Sequence, residues 1–307
     1  MGLFDRFFYG KAGKRDYSVS DMPKTRISLF FLVLKDHLFD LIKVNLLQVI
    51  FWIPFMVWTL LSFMALQNAA NEENFTASIL SGYVMTWLMG LIPCISITGP
   101  SSAGAAYIMR NWSKDQHAFL WSDFVDAFRS NWKQALPVSI LEGLAPVIVF
   151  AAVVFYGQLA RNNPVLYIPT AAVLFVGFAF CLMLVVLYPM MVGYELTLRN
   201  LLKNAFLMAI AQFPRLLLAR LIAFIPAAIL LAGVCMGVTL VIFLIPLYYL
   251  LLGFALSRLI YASFANAVFD IYQNPNIEGA SVRQGLRPAD EEDADETDED
   301  ADEDEDE

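Results

Sequence analysis

The sequence predicts an all-α membrane protein: a six-helix transmembrane bundle with cytoplasmic amphipathic elbow helices and a disordered acidic C-terminal tail. Three observations carry that expectation. Of 307 residues, 59% are apolar and 16% charged, with a mean hydropathy of +0.60, outside the range of soluble domains. Six apolar runs have the roughly 20 residues that a helix needs to cross about 30 Å of hydrocarbon. The cationic side chains fall almost entirely on one side of those runs, the pattern of a chain inserted under the positive-inside rule.

Residues 1–37 read as a basic cytoplasmic segment. No apolar run follows the first residues closely enough for a cleaved signal peptide, and Arg6 stands where a myristoylation signal needs Ser or Thr. Residues 38–272 form the six-span membrane domain. Its spans are expected at about Leu41–Leu66, Ile79–Ile97, Pro137–Tyr156, Val165–Tyr188, Leu216–Val234 and Thr239–Ala262. Pro54, Pro93, Pro146, Pro226 and Pro246 fall inside five of them and predict kinks that neighbouring helices absorb. Nineteen of the 20 lysines and arginines, all but Arg161, agree with both termini in the cytoplasm.

Two of the cytoplasmic connections carry helical periodicity. Trp121, Phe124, Val125, Phe128, Trp132 and Leu136 recur at three- and four-residue spacing, with Asp123 and Asp126 near the start and Lys133 near the end, as the helix dipole favours. This elbow either packs on its own bundle or presents a docking surface. Glu195 to Gln212 looks like a second one. Pro100, Gly104, Arg110 and Asn111 recur as Pro189, Gly193, Arg199 and Asn200 at a constant offset of 89, which reads either as an internal repeat or as two similar membrane entries. Residues 273–307 form the tail. Fifteen of the chain's 29 acidic residues lie between Asp290 and Glu307, so the net charge of −9 is an acidic tail added to a basic body.

Little of this points to bond-making chemistry. No phosphate loop, nucleophile elbow, zinc-protease motif or dinucleotide fingerprint is present, so no catalytic residue, cofactor or metal is expected, nor any enzyme activity. Nucleic-acid binding has no basic domain to support it. Cys94, Cys181 and Cys235 read as small buried hydrophobes, and His37 and His117 as solvated or interfacial. Lys43, Glu142, Glu195, Arg220 and Arg258 map within about two turns of the cytoplasmic span ends, where long side chains snorkel. Asn45, Gln48, Thr59, Ser62, Thr86 and Ser96 are the polar side chains at bilayer depth that could line a path.

The run from Ile92 to Leu136 resembles the core of the YesL family, or DUF624, of bacterial membrane proteins. The matching positions are Gly99, Pro100, Ala103, Gly104, Tyr107 and Arg110, followed by Asp123, Phe124, Ala127, Phe128 and Asn131, with Asn45, Leu46, Leu47 and Pro54 in the first span. Gly99, Pro100, Gly104, Tyr107, Arg110, Asn111, Asp123, Phe124, Phe128, Asn131 and Trp132 are the candidate functional or motif residues. A fold role is expected for Arg110, through exposed carbonyls or a carboxylate such as Asp123. The resemblance implies a multi-pass protein of the bacterial cytoplasmic membrane. Its partners would be the lipid bilayer and ABC-transporter components for sugars, and its role accessory or regulatory in oligosaccharide uptake. The alternative is a permease-like subunit moving a small solute.

Overall fold

The computed structural model describes residues 22–288, so most of the basic N-terminal segment and the acidic run from Asp290 lie outside the described residues. The described chain is helical: α1 (Arg26–Asp36), α2 (Leu38–Ala70), α3 (Ala77–Ser96), α4 (Thr98–Trp112), α5 (Leu120–Ala160), α6 (Tyr167–Gly193), α7 (Leu198–Ala211), α8 (Phe213–Met236), α9 (Thr239–Tyr248) and α10 (Phe254–Tyr272). A 3-10 turn, Pro164–Leu166, leads into α6, and a π-helical turn, Tyr249–Gly253, joins α9 to α10. Six helical stretches are long and apolar enough to span a membrane: α2, α3, α5, Pro164–Gly193, α8, and α9 through α10. They coincide with the six expected spans.

The sidedness of the side chains is that of a protein dissolved in lipid. Phe39, Phe175, Phe243 and Met236 are more than 60% exposed on the outer surface, while Asn45, Gln48, Ser101 and Ser102 are fully buried. In water this arrangement would forfeit most of the hydrophobic driving force; in a bilayer the outer surface is already solvated by acyl chains. The helix ends fall into two sets. One end of the bundle carries α1, α4, α7 and the start of α5, with the bases of the long connections, and is called the basic end below; the other carries the short turns 71–76, 161–163 and 237–238.

Inside the bundle at the basic end lies α4, a run of small residues between span and elbow for which the apolar spans and the elbow period predict no helix. Thirteen of its 15 residues are buried, and it packs against α5, α6, α10 and α2. Glycine, serine and proline signal a turn in water, but inside a bundle small side chains let helix axes approach closely. Pro100 costs nothing, because it lies in the first turn, where the amide would have no helical partner. A Cβ added at Gly99 would come to 2.6 Å from the Ala135 carbonyl oxygen, and one at Gly104 to 2.8 Å from that of Phe124.

A second correction concerns the elbow. Trp121 to Leu136 is helical as expected, yet it does not end at Pro137: α5 runs for 41 residues, about 61 Å, through elbow and span together. Pro137 frees the carbonyl of Lys133, an exposed residue, and the helix runs on past it. The second elbow forms as α7, capped at its start by Thr197, whose hydroxyl accepts from the Asn200 amide. The offset of 89 does not carry over into like structure, because Arg110 sits in the last turn of α4 and Arg199 in the first turn of α7.

The boundaries at either end also shift. The nominally basic segment contains α1, whose Leu29 and Val33 pack with Leu41, Ile108, Met109 and Trp112. Residues 273–288, assigned by composition to the start of the disordered tail, are folded: Asn274 and Arg287 are buried, and the Arg287 amide donates to the Pro23 carbonyl at 3.1 Å. The stretch is polar, but its polar groups are spent on the bundle, which a composition-based reading cannot detect.

The π-helical turn is held by the first span. Pro246 brings no amide to the helix, and the ladder beyond it opens by one residue. Asn45 of α2 spans the opening. Its Nδ2 donates to the carbonyls of Tyr249 (3.0 Å) and Leu250 (2.8 Å), and its Oδ1 accepts from the Ala255 amide at 3.0 Å. Replacing Asn45 by leucine removes one donor group and one acceptor from three backbone partners. Asn45→Leu is expected to lose about 1 to 3 kcal/mol in reversible unfolding from detergent micelles. An unfolding midpoint equal to that of the wild type would show that the turn stands without the amide.

Candidate functional site

Of the five ionisable groups that the sequence places near span ends, the structure brings three together inside the bundle. Lys43 behaves as expected, exposed and paired with Asp40 at 2.7 Å, and Glu195 is exposed. Arg220 and Arg258 do not snorkel. Arg220 of α8 donates from Nε to the Cys181 sulfur at 3.1 Å and from Nη1 to the Tyr261 hydroxyl at 2.8 Å. Arg258 of α10 donates from Nη2 to the Ser102 hydroxyl at 2.6 Å, and its guanidinium carbon lies 4.7 Å from the centre of the Tyr188 ring. Glu142 of α5 lies within electrostatic reach of both guanidiniums.

Tyr188 of α6 stands in the middle. It is fully buried, and its hydroxyl faces Glu142 and Ser102 without a hydrogen bond of good geometry to either. Five helices therefore contribute to one polar centre: Ser102 from α4, Glu142 from α5, Cys181 and Tyr188 from α6, Arg220 from α8, and Arg258 with Tyr261 from α10. The hydrogen-bond partners of the two arginines are a thiol and two hydroxyls, all neutral groups, so two cations share one carboxylate. Glu142, Arg220 and Arg258 are each partly uncovered by protein. Charge at this depth is costly unless paired, and clusters of it mark functional sites in membrane proteins by default. The sequence held a signal for the inward turn of Arg258, because Tyr261 lies three residues on and shares its helix face.

The candidate residues named from sequence occupy a different place and perform a different task. Gly99 and Gly104 line the α4 contact with α5, and Pro100 is buried beside them. Phe124 covers Gly104, and Phe128 meets Phe51 of α2 at 5.5 Å between ring centres. Tyr107 and Arg110 are the two residues of α4 left partly open. Asn111 is buried, and its carbonyl accepts from the amides of Lys114 and Gln116, closing the turn after α4. Asn131 bonds within its own helix, to the Ala127 carbonyl at 2.9 Å, and Trp132 is exposed, with the Lys133 ammonium 6.0 Å from its ring centre. Asp123 does not meet Arg110. Its carboxylate accepts from the Phe119 amide at 2.8 Å and so caps the start of α5, while Arg110 lies over the Tyr194 ring at 5.6 Å. The cysteines and histidines shift slightly as well. Cys235 is exposed, and His37 stacks on Trp112 at 4.5 Å.

Around Arg110 the basic end closes in a second polar network. Arg26 pairs with Asp270 at 2.6 Å and donates to the carbonyls of Ser113 (3.0 Å) and Gln284 (2.9 Å). Asp270 also accepts from Asn274, which in turn accepts from the Tyr194 hydroxyl at 2.6 Å. Asn266 donates to the Ser113 hydroxyl at 2.6 Å. Gly285 passes at φ +82°, where a Cβ would lie 2.7 Å from the Lys114 carbonyl carbon, so both the backbone angle and the space require glycine.

With this geometry in place, the chain can be compared with known proteins. Residues 38–153 match DUF624, a protein of unknown function. The DUF624 resemblance drawn from Ile92 to Leu136 falls inside that match and is borne out over it. No curated protein and no solved structure matches the chain. The DUF624 stretch runs from α2 into α5, so it holds the Asn45 stitch, the whole of α4 and Glu142. Cys181, Tyr188, Arg220 and Arg258 lie beyond it. Of the motif residues, Gly99, Gly104, Phe124 and Phe128 pack helices of the DUF624 stretch against one another, and the polar centre forms where that stretch meets α6, α8 and α10.

Lys114 gives the basic end a pH dependence. Burial first, then the neighbouring Arg110 and Arg26, hold its ammonium down at about 8 against the pull of Asp270. In the unfolded chain the group keeps its proton to about 10.4. Between those values the unfolded state binds the extra proton, so the lysine opposes folding below pH 8, and that opposition fades as pH rises from 8 toward 10. Lys114→Met is expected to melt above the wild type at pH 7, with the gap narrowing by pH 9.5, as read by tryptophan fluorescence. A gap constant across that range would remove Lys114 as its cause.

Proposed function

We propose that this chain is an accessory component of the bacterial cytoplasmic membrane, working beside the ABC machinery of oligosaccharide uptake and carrying no sugar path of its own. The observation that carries the reading is where the bilayer-depth polar side chains spend their bonds. Asn45 is consumed by the π-helical turn. Thr59 accepts from the Trp87 indole at 3.2 Å, Thr86 donates to its own helix at the Gly82 carbonyl, and Ser96 donates to that of Ile92. A sugar path needs donors and acceptors free to meet hydroxyls, each of which costs about 1 to 3 kcal/mol if buried unpaired. These four side chains are glue instead, and Gln48, fully buried in α2 with an amide that makes no hydrogen bond, is one group where a path needs many. The aromatic start of α5, with Phe119 and Trp121 more than 60% exposed, offers a partner the kind of anchor that interfaces favour.

In this reading the basic end faces the cytoplasm, as the distribution of lysine and arginine supports. A single cysteine at Asn74, in the turn 71–76, is expected to react with an impermeant thiol reagent in intact cells, whereas one at Gln116 is not. Both positions are exposed, which Ser113, 2% exposed, is not. Labelling at Gln116 alone would invert the chain.

The accessory role is tested by transport. Purified protein in liposomes is expected to take up no oligosaccharide, while deletion in the host slows growth on a particular glycan whose ABC system is intact. Saturable, substrate-specific uptake by the protein alone would replace this reading with the permease.

A further inference from the structure

The polar centre carries an unbalanced charge. Arg220 and Arg258 bring two positive charges, Glu142 one negative, and the groups that hydrogen-bond the arginines are neutral. In a low-dielectric surrounding the balance is one anion short. Arg220 and Arg258 are each partly uncovered, and the Tyr188 hydroxyl, fully buried in the same place, faces Glu142 and Ser102 without a hydrogen bond of good geometry to either. A hydroxyl without a well-aligned acceptor and an excess of one positive charge occur at one point.

An independent feature starts beside that point. Between α5 and α6 runs an apolar groove of about 390 Å³, walled by Leu141, Leu144 and Ile148 on one side and Val173, Val176 and Phe180 on the other. Its floor is narrow, since a Cβ at Gly177 would meet a methyl of Val149 at 2.8 Å. Leu141 precedes Glu142, and Phe180 precedes Cys181, so the groove opens at the level of the polar centre. From there it follows α5 away from the basic end for about 12 Å, close to the roughly 15 Å of hydrocarbon in one leaflet.

A charged head beside an apolar slot of leaflet depth fits an amphiphile standing in the membrane as its neighbours do. We propose that this protein binds an anionic phospholipid of the leaflet at its basic end, with the phosphodiester at Arg220, Arg258 and Tyr188 and one acyl chain between α5 and α6. The phosphodiester supplies the missing negative charge and accepts both from guanidinium N–H groups, for which its paired oxygens are suited, and from the tyrosine hydroxyl. Charge selects the head, and the groove selects a chain attached to it. This site is independent of the accessory role and survives its failure.

The test uses the full chain purified in a mild uncharged detergent and delipidated. Its thermal midpoint is followed while dioleoyl phosphatidylglycerol, dioleoyl phosphatidylcholine, oleate or inorganic phosphate is titrated in. Phosphatidylglycerol is expected to raise the midpoint saturably, and the other three to need at least tenfold more for the same rise or to give none. Arg258→Gln, which removes the charge, and Ala145→Phe, which fills the groove and leaves the charges in place, are each expected to raise the half-saturating phosphatidylglycerol at least tenfold. An equal response to phosphatidylcholine would make the effect general lipid solvation. An equal response to phosphate or oleate would assign a free-anion or fatty-acid site. Both variants titrating like the wild type would overturn the placement. If Arg258→Gln fails to fold, Arg258→Lys and Ala145→Phe decide. Native mass spectrometry of the wild type must in addition show one phosphatidylglycerol retained in competition with phosphatidylcholine, and its absence sinks the proposal.

Discussion

Close approach to α4 is the condition on which the rest of the bundle depends. In hydrocarbon there is no gain from hiding apolar surface, so helices hold together by dispersion contacts and by the few polar groups they can share. Both need short distances. The run Thr98 to Ala106, with no side chain larger than proline or threonine, supplies them by letting α5, α6 and α10 come in against one helix. The serines on that helix then serve twice, being small enough to admit a neighbour and polar enough to bond one, as Ser102 does with Arg258. A larger residue at Gly99 or Gly104 would push α5 outward and lengthen every contact that α5 makes, the approach of Glu142 to the arginines included.

The spans were legible because a run of about 20 apolar residues has few other uses, and the second elbow because an amphipathic period survives any surroundings. What was not legible depends on solvent. The composition of α4 is that of a turn when water competes for its amides, and only its burial makes it a helix. Pro137 reads as a break in α5 for the same reason, though the carbonyl it frees belongs to an exposed residue, Lys133. The fold of residues 273–288 rests on partners more than 150 residues away, such as Pro23, Arg26 and Lys114, which no local window contains.

The site was half legible. Depth can be counted along a span, and the count put Glu142, Arg220 and Arg258 at a like depth, where the structure brings them together. Facing cannot be counted when the whole helix is apolar, because a strong hydrophobic surround leaves no period to fix its rotation. Arginine at such a depth has two solutions, to reach out along its stem or to turn in toward hydroxyl and thiol partners, and only the positions of Ser102, Cys181 and Tyr261 on other helices decide between them. The motif residues were the reverse case: easily noticed, and concerned with packing at Gly99, Gly104, Phe124 and Phe128 and with capping at Asp123.

The Asn45 stitch sets a schedule for how the molecule is made. Asn45 emerges with the first span, whereas the backbone groups it satisfies belong to Tyr249, Leu250 and Ala255, some 200 residues later. The same holds at the basic end, where Arg26 waits for Asp270 and Pro23 for Arg287. During synthesis the early helices must therefore stay together in lipid with a bare amide and an unpaired guanidinium until the final helix leaves the ribosome. The last span is the one that locks the others, and a chain cut short before it lacks the groups that would tell the first span where to sit.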